Sequence, residues 1–283
     1  MTERSFEAAL QRDDPDRWMA ALFAPADARA RLITLYAFYH EIARVPDAVS
    51  EPVIGEMRLS WARDAVRDLY ASPPKVRRHD VYEALAGLTS APGAPDADML
   101  DQLIEARAAD LGQGPFPTRQ DRRDYVDRTA GALMTAAARL AAPESVLNEA
   151  AQAALTEAGR LWGLTGLIRA FAPLCAAGRP PLAADEAAGA GLTESDWLAG
   201  RKPDAARAAL AGLITEAETS AQALSGLSKA LPAAVFPAVG YASLARVYLR
   251  RARSVADPFR EQVDPLLIAR QLRLIWASLT GRI

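Results

Sequence analysis

Apolar residues recur at spacings of three and four along nearly the whole chain, and no segment alternates apolar and polar residues over the length of a strand. Residues three or four apart lie on one face of an α-helix. The sequence therefore predicts an all-α protein. We expect helices at about residues 26–45, 53–71, 79–90, 97–111, 118–141, 145–172, 184–190, 193–199, 203–229, 232–254 and 263–280.

The ends of these segments carry typical helix-start residues. Pro52 follows Glu51, and the pairs Thr118 with Asp121 and Thr193 with Asp196 fit a hydroxyl cap with an acid in the first turn. The linkers between helices are short, and no repeat of fixed period is present. We therefore expect residues 1–283 to form a single domain.

Composition narrows the function classes. The chain is 51% apolar and 24% charged, which predicts a packed core. Its formal net charge of −2, without a long run of one sign, argues against a nucleic-acid partner. The single cysteine, Cys175, excludes an intramolecular disulfide and a cysteine-cluster metal site.

The sequence also shows no segment typical of membrane insertion or protein targeting. The longest uncharged run, residues 230–245, is shorter than the roughly 20 residues that a membrane-spanning helix needs, so we interpret it as a buried core helix. The first residues show neither a signal peptide nor a transit peptide pattern. These features predict a cytoplasmic protein without a transmembrane span.

Several segments, in this order and spacing, resemble the squalene/phytoene synthase family. The segments are residues 35–38 (LYAF), 61–64 (WARD), 104–111, 118–131 and 164–185. The resemblance implies a helical bundle of the isoprenoid synthase, or terpenoid synthase-like, type. It also implies a central prenyl-binding site in which two Asp-rich motifs hold magnesium against an allylic diphosphate.

The first of those motifs is degenerate in this chain. In the family an Asp-Asp-x-x-Asp cluster follows Tyr-Ala-Phe, and the matching positions here begin at Ala43 and Arg44 and end at Asp47. Only Asp47 retains a carboxylate. Pro46 should end or kink the helix, because its ring clashes with the preceding turn and disfavours helical geometry at Val45.

The second motif has lost both acids. Ala170 and Leu174 stand where the family has Asp-x-x-x-Asp after an arginine, here Arg169, and no acid occurs between Glu157 and Asp185. Magnesium binds reluctantly to a site that lacks carboxylates. We therefore expect no catalytic residues, no metal, no cofactor and no head-to-head prenyl condensation.

Residues 47–61 resemble a non-synthase branch of the superfamily, which contains the mitochondrial complex I assembly factor and its alphaproteobacterial relatives. The resemblance implies an assembly or scaffold role for respiratory NADH dehydrogenase, with subunits of that enzyme as candidate protein partners. Peripheral contact with the inner membrane is kept as an alternative to a purely cytoplasmic location. Two alternatives stay open. One is a divergent magnesium-dependent prenyltransferase that recruits Asp47 with Glu41, Asp110 or Asp121; the other is an isoprenoid- or lipid-binding helical module.

Small residues form a stripe on one predicted helix, because Gly159, Gly163, Gly166 and Ala170 follow at steps of four, three and four. Such a stripe favours close helix packing, and a retained apolar cavity for a lipid or quinone-like tail is the alternative. The full set of candidate cavity or ligand-binding residues is Tyr36, Tyr39, His40, Tyr125, Gly163, Gly166 and Arg169.

Two polar features have simpler interpretations. His40 has no acid or cysteine partner visible in the sequence, which favours a packed or hydrogen-bonded histidine over a functional one. Arg246, Arg250, Arg251 and Arg253 form a basic cluster at the end of an apolar helix. Solvated charges at a helix C-terminus are favoured there, and a docking patch for anionic lipid or a membrane-bound partner is the alternative.

Overall fold

The computed structural model describes residues 5–283, which fold into α-helices joined by short turns and 3-10 segments. The described residues contain no strand, only an isolated bridge between Phe116 and Ala183. The all-α prediction is confirmed. The helices are α1 (Ser5–Asp13), α2 (Pro15–Ala21), α3 (Ala26–Ala43), α4 (Pro52–Leu69), α5 (Asp80–Leu88), α6 (Ala97–Ala106), α7 (Arg119–Val126), α8 (Ala132–Ala141), α9 (Glu149–Arg169), α10 (Phe171–Ala176), α11 (Ala184–Gly189), α12 (Glu194–Leu198), α13 (Pro203–Leu227), α14 (Phe236–Val239), α15 (Ala245–Arg253) and α16 (Leu267–Thr280).

Helix α9 lies at the centre of the bundle. It packs against α13 along its length, and against the segment between α7 and α8, α8 and α15 on its other sides. Its interior positions, among them Leu155, Leu161 and Leu164, are fully or almost fully buried. A helix that is apolar around most of its circumference is one that other helices surround.

The sequence missed the two short helices that begin the described region. Asp14 caps α2, because its Oδ1 accepts a hydrogen bond from the Arg17 backbone N–H at 3.4 Å, and Pro15 occupies the first helical position. Helix α2 is only 7 residues long, too short to show a helical period. As a result, no residue before position 26 was among the predicted site residues.

The predicted helix at 232–254 is wrong as a continuous element. The structure divides it into a 3-10 turn at Ala233–Val235, α14, a 3-10 segment at Gly240–Leu244 and α15. The ring of Phe236 packs directly on Gly240, where an added Cβ would lie 2.7 Å from a ring carbon. The run is nevertheless buried, since residues from Val235 to Ala245 form part of the core.

Two further predicted helices contain breaks. The segment 118–141 includes a π-helical turn at Asp127–Gly131 between α7 and α8. The segment 145–172 ends at Arg169, and α10 begins after Ala170, whose backbone departs from helical geometry (φ −87°, ψ 11°). Both breaks lie beside the candidate site, where π-turns and helix ends often occur.

A buried arginine joins three helices below that site. The Arg122 guanidinium on α7 is 0% exposed and pairs with both carboxylate oxygens of Glu186 on α11 and with Glu216 on α13, the latter at 2.6 Å. Burial raises the pKa of Glu186, but hydrogen bonds from Arg122 and the Ala183 backbone N–H outweigh it and hold the pKa below its usual range. The interaction locks α7, α11 and α13 together.

Candidate functional site

Both degenerate motifs line one cavity of about 740 Å³. Ala43 is the last residue of α3, and Asp47 lies in the 3-10 turn that follows. Ala170 caps the C-terminus of α9, and Leu174 lies on α10. The fold therefore brings together the two segments that the sequence analysis singled out, which are more than 120 residues apart in the chain.

The first motif ends as the sequence predicted, because α3 stops before Pro46. The 3-10 turn leaves the Asp47 side chain 78% exposed, where its Oδ1 lies 3.5 Å from Arg179 Nη2. A contact of that length at an exposed site contributes little to stability. The one retained acid of the motif is thus largely exposed and lies beside an arginine.

Arg107 organises the polar side of the cavity. Its guanidinium donates to the Tyr39 hydroxyl at 2.5 Å, to the Tyr125 hydroxyl at 2.8 Å and to Asp110 Oδ2 at 2.7 Å, and Tyr125 donates to Asp110 Oδ1 at 2.8 Å. Burial lowers the pKa of Arg107, but Tyr125, Tyr39 and Asp110 more than compensate and the net pKa is raised. Burial raises the pKa of Tyr125, so this residue is a neutral phenol.

A second arginine enters the cavity from α2. Arg17 is 8% exposed, pairs with Asp14 at 2.5 Å, and places its guanidinium carbon 5.5 Å from the Tyr39 ring centroid and 5.2 Å from that of Tyr241. Cation–π contacts of this length stabilise a buried guanidinium. Tyr36, a predicted cavity residue, is 1% exposed and packs behind Arg17.

Arg169, the arginine that precedes the vacated acid positions, is held by acids from distant segments. Its guanidinium lies 3.4 Å from Asp16 on α2 and 3.2 Å from Asp264, and packs 4.4 Å from the Tyr248 ring centroid. Tyr248 donates to Asp16 at 2.5 Å, and Arg270 lies 3.0 Å from the same carboxylate. Arg169 is thus part of an ion-pair network that ties α9 to α2 and α16.

The residues of the small-residue stripe on α9 have two roles, which are close packing on neighbouring helices and lining of the cavity. An added Cβ at Gly159 would lie 2.5 Å from Gly131 Cα, so Gly159 allows close packing on the π-helical turn. An added Cβ at Gly163 would lie 2.5 Å from a Val126 methyl group, so Gly163 allows close packing on the end of α7. An added Cβ at Gly166 would meet no atom within 4 Å, and Gly166 and Ala170 line the cavity. Gly159 therefore allows helix packing alone, Gly163 both allows packing and lines the cavity, and Gly166 and Ala170 line the cavity.

His40 has an acid neighbour that was not visible in the sequence. Its Nε2 lies 3.5 Å from Asp13 Oδ2, on the helix α1 that the sequence analysis missed. Of the seven predicted cavity residues, Tyr39, Tyr125, Gly163, Gly166 and Arg169 line the cavity, whereas Tyr36 and His40 lie behind its wall. Whether any of them binds a ligand stays a prediction.

Residues 10–270 match the model of the squalene/phytoene synthase family. The chain belongs to this family. Its fold also superposes on a dehydrosqualene synthase (TM-score 0.79, 15% identity, 97% of this chain and 94% of that one) and on squalene synthase HpnC from Alicyclobacillus acidocaldarius (TM-score 0.66, 17% identity, 98% and 92%). At such identities these structures establish the shared fold alone. The isoprenoid synthase fold is confirmed.

Curated relatives of this squalene/phytoene synthase family member carry a different name. It is 22% identical over 257 residues to NADH dehydrogenase (ubiquinone) complex I, assembly factor 6, from Mus musculus, covering 87% of this chain and 72% of that protein. The Homo sapiens protein of the same name is 21% identical over 240 residues, covering 81% and 67%. The branch suggested by residues 47–61 is therefore confirmed.

The cavity does not fit the magnesium that the family uses. Among residues 5–283, no group of three or more His, Cys, Asp or Glu side chains is arranged to hold a metal ion. Every aspartate that lines the cavity instead contacts another side chain. These contacts are Asp13 with Arg12, Asp14 with Arg17, Asp47 with Arg179, Asp110 with Arg107, Asp121 with Thr118 and Asp124 with Gln120.

The acids that the prenyltransferase alternative would recruit are therefore already engaged. Asp110 accepts one hydrogen bond from Arg107 and another from the Tyr125 hydroxyl. Asp121 forms a capping box with Thr118 at the start of α7. Glu41 lies 3.9 Å from Arg44, a positive charge at a position where the family has an acid. Magnesium would have to displace these partners before it could bind.

Proposed function

We propose that this family member is catalytically silent and acts through protein contacts as an assembly factor or scaffold for respiratory NADH dehydrogenase. The observation that carries the proposal is the shared cavity, where both family motifs have lost most of their acids and where residues 5–283 provide no group of three or more metal-ligating side chains. The name of the curated relatives supplies the partner. We place the protein in the cytoplasm, in peripheral contact with the inner membrane.

The loss of diphosphate chemistry follows from electrostatics. Without bridging metal ions, a departing diphosphate lacks the charge neutralisation that is usually the largest contribution to such catalysis. Arg107 and Arg17 are positive, but each is already paired with a carboxylate and fixed by tyrosine rings. These two arginines therefore do not supply the charge neutralisation that metal ions held by two acidic clusters would give the diphosphate.

Purified protein should therefore yield no condensed product from farnesyl or geranylgeranyl diphosphate with magnesium. The measurement is product extraction and mass spectrometry after long incubation, with an active squalene synthase as the positive control. A magnesium-dependent product would support the divergent prenyltransferase instead, and the silent assignment would be wrong.

The assembly role is tested in a strain that lacks the gene. We expect less assembled NADH dehydrogenase in its membranes and unchanged amounts of squalene, hopanoids and carotenoids. A synthase would give the opposite pair of results, because its loss would deplete an isoprenoid product and leave the respiratory enzyme intact.

A second candidate function is the binding of an isoprenoid or lipid tail. It is favoured by the cavity volume of about 740 Å³ and by apolar lining residues such as Leu167, Leu174 and Trp162. Gly166 leaves room along the wall that a larger side chain would occupy. Mass spectrometry of lipid extracted from purified protein tests this function, and protein that consistently releases no lipid would contradict it.

A further inference from the structure

Helix α16 turns its charged side inward and its apolar side outward. Arg270 pairs with the buried Asp16 at 3.0 Å, and Arg273 donates to the Ser243 carbonyl at 3.2 Å. Leu274 and Ala277 also face the bundle. A helix on the surface of a water-soluble bundle normally has the reverse arrangement, with apolar residues inside and charges in water.

The outward side is a continuous aliphatic stripe. Ile268, Leu272, Ile275 and Leu279 follow at steps of four, three and four, so they lie on one line along the helix. Leu272 is 60% exposed and Leu279 is 79% exposed. The neighbouring apolar side chains Leu266, Leu267 and Trp276 are also about half exposed or more. Scattered exposed leucines are normal, but a contiguous stripe indicates an interaction surface.

Two arginines without an acid partner lie at the start of this stripe. Arg250 and Arg251 of α15 line a groove with Leu266, and in the described part of the chain neither guanidinium forms an ion pair. The other arginines of the basic cluster are engaged, since Arg253 pairs with Glu218 at 2.5 Å and Arg246 donates to the Ala221 carbonyl at 3.1 Å. Two arginines of the cluster are therefore held by protein partners, and the other two form no ion pair within the described residues.

The acid in the same groove does not neutralise those charges. Asp264 lines the groove with Arg250 and Arg251, but its carboxylate pairs with Arg169 at 3.2 Å. The surface consequently joins an aliphatic stripe to free positive charge. An anionic bilayer offers the matching combination of a hydrocarbon interior and negative headgroups, and tryptophan and leucine with nearby basic residues are typical of interfacial helices.

Other occupants match this surface less well. A protein partner would normally make about one hydrogen bond per 100–200 Å² of interface, whereas Gln271 and Thr280 are the polar side chains exposed on α16. A second copy of the chain, related by twofold symmetry, would present the same apolar stripe and the same unpaired arginines, without an opposite charge.

We propose that α16 lies flat on an anionic lipid surface, with the stripe from Ile268 to Leu279 in the hydrocarbon boundary and Arg250 and Arg251 at the headgroups. At about 1.5 Å per residue the helix presents roughly 20 Å of apolar face, too short to cross a bilayer but suited to lie along it. No helix in residues 5–283 is long and apolar enough to cross a membrane. This docking does not depend on the assembly role.

Vesicle flotation tests the docking surface. Wild-type protein should float with phosphatidylcholine vesicles that contain phosphatidylglycerol, and less protein should float with phosphatidylcholine alone or at high salt. The double variant Leu272→Glu, Leu279→Glu should bind vesicles at least about tenfold more weakly than wild type. The double variant Arg250→Gln, Arg251→Gln should bind anionic vesicles more weakly than wild type by roughly tenfold or more, and its binding to phosphatidylcholine vesicles should not change. Because all four side chains are exposed, the variants should keep the wild-type circular dichroism spectrum and melting temperature.

Val146→Glu is the matched control, since Val146 is 84% exposed but lies outside the stripe, and it should bind as wild type does. Failure of the wild-type chain to float would overturn the proposal, as would stripe variants that bind unchanged. A wild-type dimer that the stripe variants convert to a monomer would assign the surface to a second copy and would also overturn it. None of these results depends on NADH dehydrogenase.

Discussion

Replacing Arg122 by alanine should lower the free energy of unfolding by about 3–5 kcal/mol, because it leaves buried carboxylates without their counter-charge. Glu186 is 7% exposed and Glu216 is 13% exposed, and Arg122 bridges the two. Without the guanidinium, these acids must either remain charged in a poorly hydrated environment or take up protons at neutral pH. Both outcomes are costly, and both loosen the attachment of α11 and α13 to α7. Urea denaturation of the purified variant measures the loss.

Arg119→Ala is the matched control, because Arg119 also pairs with Glu186, at 3.0 Å, but is 63% exposed. An exposed ion pair of this kind is worth at most about 1 kcal/mol. Comparable losses in the two variants would show that burial is not the source of the effect and would contradict the account of this interaction.

The second large effect concerns two glycines seven residues apart on α9. Gly159→Ala should destabilise the protein by about 1–3 kcal/mol, because the new methyl group would overlap the backbone of Gly131 and force the helices apart. Gly166→Ala should instead stabilise it by about 0.5–1 kcal/mol, since alanine has the better helix propensity and the methyl group would enter the cavity.

The two changes are chemically identical and lie on the same helix, so each controls for the other. The measurement is the free energy of unfolding from urea denaturation of both variants. Changes of the same sign would contradict the assignment of Gly159 to packing and of Gly166 to the cavity.

The sequence predicted the long helices well, because a long amphipathic segment repeats its period several times. Helix α13 begins at Pro203 as predicted, and α3 and α4 lie within two residues of their predicted bounds. Short elements lack that repetition. Helices α1 and α2 contributed no period, although the Asp14-Pro15 pair is a typical helix start that could have revealed α2.

Most of the residues predicted for the site do line one cavity, but the arginines of its polar wall were not among them. Ala43 and Ala170 do face one cavity, because the family motif fixes which helix ends meet. Arg107 and Arg17, which hold its polar wall, were missed for different reasons. Arg107 lies in a 3-10 segment that was predicted as part of the helix at 97–111, and Arg17 lies on α2, which was not predicted.

Partner contacts cannot be deduced from periodicity, because they depend on which face the bundle leaves uncovered. The apolar period of α16 predicted a helix, but it did not show which face of that helix would pack on the bundle. The pairing of Arg270 with Asp16, 254 residues away in the chain, and the hydrogen bond from Arg273 to the Ser243 carbonyl show that the arginine side faces the bundle.

We propose that this synthase fold supports assembly of respiratory NADH dehydrogenase without using a metal site. The most direct measurement is the amount of assembled enzyme, by native gel and NADH oxidation, in membranes of a deletion strain that carries an empty plasmid, the wild-type gene or the Asp47→Ala variant. Asp47 is the last retained acid of the first motif and its exposed ion pair contributes little to stability. We predict a loss with the empty plasmid and equal restoration by both genes. An unchanged enzyme level in the deletion strain, or restoration by the wild-type gene alone, would contradict the claim.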